Sequence, residues 1–131
     1  MNIRGKILYG LFFLFAGAYH FINPGFYIPL IPDYFPLKEL INYASGAAEI
    51  IAGLLLLTNK YSRYGGRLVL VIMILFIPSH VYFIQIGSCV ESGLCVPAWV
   101  AWVRLVIIHP LLMCYGWKLS SVNNNLFFNK K

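Results

Sequence analysis

Four apolar runs divide the chain, each set off from the next by a polar or proline-rich stretch. The first, Ile7 to Ile22, needs a turn from Ile3 onward to reach the ~20 residues that cross the hydrocarbon core of a bilayer. The second is LINYASGAAEIIAGLLLL, Leu40 to Leu57. The third runs from Leu68 to Ile86 and the fourth from about Ala98 to Leu119. The pattern predicts an all-α, integral membrane four-helix bundle with helices at about 4–22, 40–57, 68–86 and 98–119. It forms a single domain over residues 1–131 that ends in a polar tail at 120–131. The basic first residues could suggest a signal peptide. However, no small-x-small site follows Tyr19, so the first run is expected to stay as a membrane helix.

The stretches between the runs differ in character. Asn23 to Glu39 carries four prolines (Pro24, Pro29, Pro32, Pro36), which exclude a regular helix, and its aromatics Phe26, Tyr27, Tyr34 and Phe35 suit a membrane interface. It is expected to cap the outer side of the bundle. Thr58 to Arg67 reads as a short basic inner turn. The loop Gly87 to Pro97 holds Cys89 and Cys95, a C-x5-C pair that an oxidising compartment would close into a disulfide. It lacks the spacing of a C-x-x-C redox motif and has no histidines to complete a metal site. Cys114, inside the fourth run, reads as packing.

Polar residues inside the runs are few and patterned. Asn42, Ser45 and Glu49 stand at i, i+3 and i+7 with Gly46 and Gly53 beside them, so one stripe of the second helix is polar and small and should face protein. Gly10, Gly17 and His20 share a face of the first helix. Pro78 cannot donate to the carbonyl of Ile74, and Ser79 and His80 follow it directly. The fourth run contains Arg104, His109 and Pro110, with Trp99 and Trp102 at one end and Trp117 and Lys118 at the other.

Composition agrees with this pattern. With 60% hydrophobic and 11% charged residues and a mean hydropathy of +0.77, a chain this short cannot bury its apolar surface in water. The net charge of +6 points to topology rather than to nucleic acid. Arg4, Lys6, Lys60, Arg63, Arg67, Lys118, Lys130 and Lys131 fall at the N-terminus, the 58–67 turn and the tail, which predicts that both termini are cytoplasmic.

With that orientation, the ~1.5 Å rise per residue gives depths. His20 lies near the outer surface, His80 and Arg104 about 9 Å in, Glu49 about 13 Å and His109 about 16 Å. All five fall in the outer half or at the midplane. Because an unpaired charge in hydrocarbon is costly, residues from four helices at similar depth are expected to meet. Glu49 and Arg104 form the natural ion pair, with His80 and His109 as hydrogen-bonding neighbours. Ser45 from the stripe and Tyr27 from the cap complete the candidate ligand-binding set. Three readings stay open: a structural ion pair, a polar-headed pocket for an amphipathic ligand such as a quinone or lipid, and a proton or small-solute path.

His20-Phe21-x-x-Pro24 with Tyr27, Pro32 and Pro36, then Ser45-Gly46-x-x-Glu49-x-x-x-Gly53-x-x-Leu56 and Pro78, resembles the DoxX family of small four-helix membrane proteins over about residues 7 to 86. Where many members have Pro-Ala-Asn in the third helix, this chain has Pro78-Ser79-His80. The resemblance implies a bundle in the bacterial inner membrane. Its relatives include a subunit of a thiosulfate:quinone oxidoreductase and membrane partners of thiol-redox enzymes, so a quinone and a soluble or membrane redox partner are expected. Catalysis and oligomeric state stay open. No nucleotide, flavin or haem motif is visible.

Overall fold

The computed structural model describes residues 2–91 and 93–122, so most of the expected tail, 123–131, lies outside the described residues. The architecture is helical, with four helices long and apolar enough to cross a membrane: Ile3–Ile22, Lys38–Leu57, Ser62–Gln85 and Ala98–Ser121. Four such helices are compatible with a multi-pass membrane protein.

Helix α1 (Ile3–Ile22) starts at Asn2, whose side chain accepts the Arg4 backbone N–H. It stops where Pro24 begins a separate turn of helix, α2 (Pro24–Tyr27), followed by a 3₁₀ turn at Ile28–Leu30. The proline-rich segment is therefore partly helical, because its first prolines occupy the opening positions of short helices, where a missing N–H costs nothing. Leu37, at φ 56°, turns the chain into α3 (Lys38–Leu57). A left-handed leucine costs about 1 kcal/mol or more.

Helix α4 (Ser62–Gln85) begins six residues before the expected Leu68. Residues 62–67 belong to it because Gly65 and Gly66 are packing positions rather than turn positions. A Cβ on Gly66 would fall 2.6 Å from the Gly116 carbonyl oxygen, and one on Gly65 2.9 Å from the Leu56 backbone nitrogen. After α4, a tight turn closes at the Cys89–Cys95 disulfide. The fourth span is α5 (Ala98–Val103), a π turn at Arg104–Ile108, and α6 (His109–Ser121). The His109 N–H bonds the Arg104 carbonyl five residues back, and Pro110, which has no N–H to give, follows at once. Ser120 and Ser121, expected in the tail, belong to α6.

In the bundle α1 packs on α3, α3 on α4, and α4 on α6. The first seam is glycine on glycine. A Cβ on Gly17 would lie 2.6 Å from the Gly46 carbonyl, and one on Gly53 2.8 Å from the Gly10 carbonyl. In lipid, where apolar faces gain little by meeting, close backbone approach holds helices together. Between the first and fourth spans the contact is slighter, made near the basic end by Tyr9, whose hydroxyl donates to the Leu112 carbonyl at 2.6 Å, and by Tyr115 over Gly5. The core there is dry, formed by Tyr9, Phe13, Ala52, Leu56, Val69, Ile72, Met73 and Leu119. A smaller cluster, Leu30, Phe83 and Ala101 with Val90, Leu94 and Val96, joins the cap segment, the disulfide loop and α5 at the other end.

Candidate functional site

The glycine seam sets the geometry of the site. Gly46 lets α3 approach α1 so closely that a Cβ there would strike the Cβ of His20 at 2.6 Å. That contact aligns His20 on α1 with Asn42 and Glu49, one turn before and one turn after Gly46 on α3. All three are buried. His20 Nδ1 lies 2.7 Å from Asn42 Oδ1, while Asn42 Nδ2 donates to the His20 backbone carbonyl at 3.0 Å. Since the amide nitrogen already serves that carbonyl, Oδ1 is the acceptor and Nδ1 carries a proton.

The other ring nitrogen, Nε2, faces Glu49 Oε2 at 3.2 Å. This is ion-pair distance without good hydrogen-bond alignment, and Oε2 has no hydrogen-bond partner in the interior. With Nδ1 turned to the asparagine, Nε2 is the ring nitrogen that faces the Glu49 carboxylate. Tyr27 covers the His20 ring face, stacked at 3.6 Å and 11°. Burial first, and then the Glu49 carboxyl, push the Tyr27 hydroxyl up to about 12, so it remains a donor.

Glu49 therefore pairs with His20. No ion pair joins it to Arg104 among the described residues, contrary to the pairing expected from depth. Depth alone does not give the angular position around the bundle, and α3 packs on α1, not on α5. On the opposite wall His80 and His109 meet edge to face with centroids 4.7 Å apart, much closer than straight helices would put them. His109 Nε2 donates to the Met73 carbonyl at 2.7 Å, one residue from the Ile74 carbonyl that Pro78 was expected to free. Pro78 lies inside α4 two residues before His80, and the π turn ends just before His109.

Between these walls lies a cavity of about 510 Å³. Glu49, Arg104, His80, His20, His109, Ser45 and Tyr27 all line it, so the structure brings the seven candidates together around one space. Asn42 was the residue left out of that set. Its signal was its place seven residues before Glu49 on the small-residue stripe. Phe76 and Ser79 also contribute. Lipid-facing side chains reach the cavity on two sides: Phe12 and Ile108 where α1 faces the fourth span, and Ala44 and Leu75 where α3 faces α4.

Over the cavity, Leu30, Ile31 and Phe35 of the cap form part of the lining. Asp33 anchors this segment, accepting from Lys38 Nζ on one oxygen and from the Tyr82 hydroxyl at 2.9 Å on the other. These two hydrogen bonds, the lysine's first, hold its carboxyl below the usual carboxylate range. Cys114, expected as packing, faces outward. Among the described residues no group of three or more His, Cys, Asp or Glu is placed to hold a metal ion.

A family model described as a domain of unknown function (DUF8561) matches residues 9–120, which takes in all four spans. No curated protein matches the chain, and no solved structure does.

Proposed function

The chain belongs to the DUF8561 family, whose description carries no activity, and we propose that this member binds a small amphipathic ligand, such as a quinone or a lipid, in the cavity beneath the cap. The observation that carries the reading is the character of that space. Its lining gathers polar groups, the His20–Glu49 pair, Ser45, His80 and Arg104, and also includes residues that face lipid. Binding sites of a few hundred Å³ with apolar walls and a few convergent polar groups suit molecules of this kind. The ligand's head would sit among the polar groups and its tail would leave sideways between helices.

In this reading the basic end, bearing Arg4, Lys6, Lys60, Arg63 and Arg67, is cytoplasmic, and the cap with its disulfide loop faces the oxidising side of a bacterial inner membrane. The motif resemblance to DoxX proteins favours a quinone and a place beside a redox partner. A proton or solute path is less well supported, because the dry core around Phe13, Leu56 and Val69 stands between the cavity and the basic end.

The test is native mass spectrometry of the full chain extracted from membranes in a mild detergent, comparing wild type with Ala48→Leu. Ala48 lines the cavity and its side chain makes no hydrogen bond, so a leucine there fills space without removing one. Wild type is expected to retain an amphiphile that the variant loses, with thermal stability unchanged or raised. A wild-type protein carrying no amphiphile, even when supplied with one, would leave the polar cluster as a purely structural device.

A further inference from the structure

The chain has four side-chain acids in all, Asp33, Glu39, Glu49 and Glu91, and none of them answers Arg104. Asp33 is engaged by Lys38 and Tyr82 outside the bundle. Glu39 is exposed in the first turn of α3, and Glu91 is exposed in the disulfide loop. Glu49 faces His20, whose orientation Asn42 fixes, and not Arg104. The Arg104 guanidinium makes no hydrogen bond or ion pair among the described residues, although it is largely covered and sits in the middle of an apolar helix. A guanidinium stays charged at any physiological pH. The guanidinium therefore lines the cavity with no ion-pair partner of its own, an arrangement unfavourable in hydrocarbon unless something offsets it.

Resting on the amphiphile-binding reading, we infer that the ligand is an anionic amphiphile, a single oxyanion head on an alkyl chain of the fatty-acid type, with its head on Arg104 and its chain running out past Phe12 and Ile108. The guanidinium fork matches the two oxygens of a carboxylate or phosphate. Tyr27, protonated and on the same cavity wall as His20, donates to the Ala16 carbonyl at 3.5 Å, a long bond that it would exchange for the head. The exit between the first and fourth spans is the side of the bundle with the slightest helix contact, and Tyr9 closes it only toward the basic end. A neutral quinone would leave the arginine unanswered.

The experiment titrates the purified full chain, in a nonionic detergent at pH 8, with decanoate, decyl phosphate and decanol, reading affinity by calorimetry. Wild type is expected to bind at least one of the two anions tenfold or more tighter than the alcohol. The tighter anion identifies the headgroup as carboxylate or phosphate. Arg104→Gln is expected to abolish the preference of the anions over the alcohol, and Arg104→Lys, which keeps the charge, to retain part of it. Equal binding of all three amphiphiles by wild type would overturn the anionic assignment and leave the amphiphile pocket standing. Binding of none of them, nor of a quinone, would remove both.

Discussion

At the basic end of the bundle Tyr9, Phe13, Leu56, Val69 and Leu119 fill the space between helices; Lys6 donates to Asn59 at 2.6 Å and the Tyr9 hydroxyl to a backbone carbonyl, while Arg63 Nε is buried without a hydrogen-bond partner. At the cap end the same helices, held by the same kind of glycine contact, enclose about 510 Å³ edged with His20, Glu49, His80, Arg104 and His109. Loose packing does not explain the contrast, because Gly17 and Gly46 touch backbone to backbone directly beside the cavity. Helices that pack this tightly in lipid have no need of five ionisable residues to stay together. The space at the cap end is therefore better understood as reserved for something that enters it.

The sharpest way to break the comparison is to spoil each end in turn. Gly66→Val drives a side chain into the Gly116 carbonyl at the basic end, and Gly46→Val drives one into His20 and the Gly17 carbonyl at the cap end. Both should lose about 3 kcal/mol, the upper part of the range for overpacking, since backbone rather than a flexible side chain stands in the way. Thermal unfolding in detergent measures this. The two should differ in ligand retention, with the folded fraction of Gly66→Val keeping the amphiphile and that of Gly46→Val losing it. Tolerance of valine at either position would contradict the seams as described.

A smaller effect should come from the cap's anchor. Asp33 is held in its ionised form by Lys38 and Tyr82, so its folded-state value lies below the ordinary carboxylate value of about 4. The contribution is full above that ordinary value and is lost as pH falls through the lowered folded value. Asp33→Asn should therefore slightly increase hydrogen exchange in residues 24–37 at pH 7, and the difference from wild type should shrink as pH falls below the ordinary carboxylate value. A difference that does not change with pH would mean that the two hydrogen bonds do not hold the cap.

The four spans were legible because long apolar runs bounded by proline, glycine and charge admit little else. The site was legible as a set of residues, since the cost of a charge in hydrocarbon gathers ionisable groups wherever they occur. What depth could not supply was the angle around the bundle. It matched Glu49 with Arg104, whereas α3 lies on α1 and gives Glu49 to His20. His80 and His109, expected as hydrogen-bonding neighbours of Glu49 and Arg104, instead meet each other edge to face. Residues 62–67 were read as a turn from their glycines and charges. Those glycines instead let α4 approach its neighbours, and Arg63 and Arg67 lie on the helix itself.

The central claim is that an amphiphile occupies the cap-end cavity, and covalent capture tests it most directly. An alkyl carboxylate carrying a diazirine along its chain, photolysed with the full protein in membranes, should label the cavity-lining stretches around Phe12–Ala16 and Ile108–Leu112, and excess decanoate should suppress that labelling. Labelling spread over lipid-facing residues such as Leu8, Leu54 and Trp117 in proportion to their exposure, and indifferent to competitor, would contradict it.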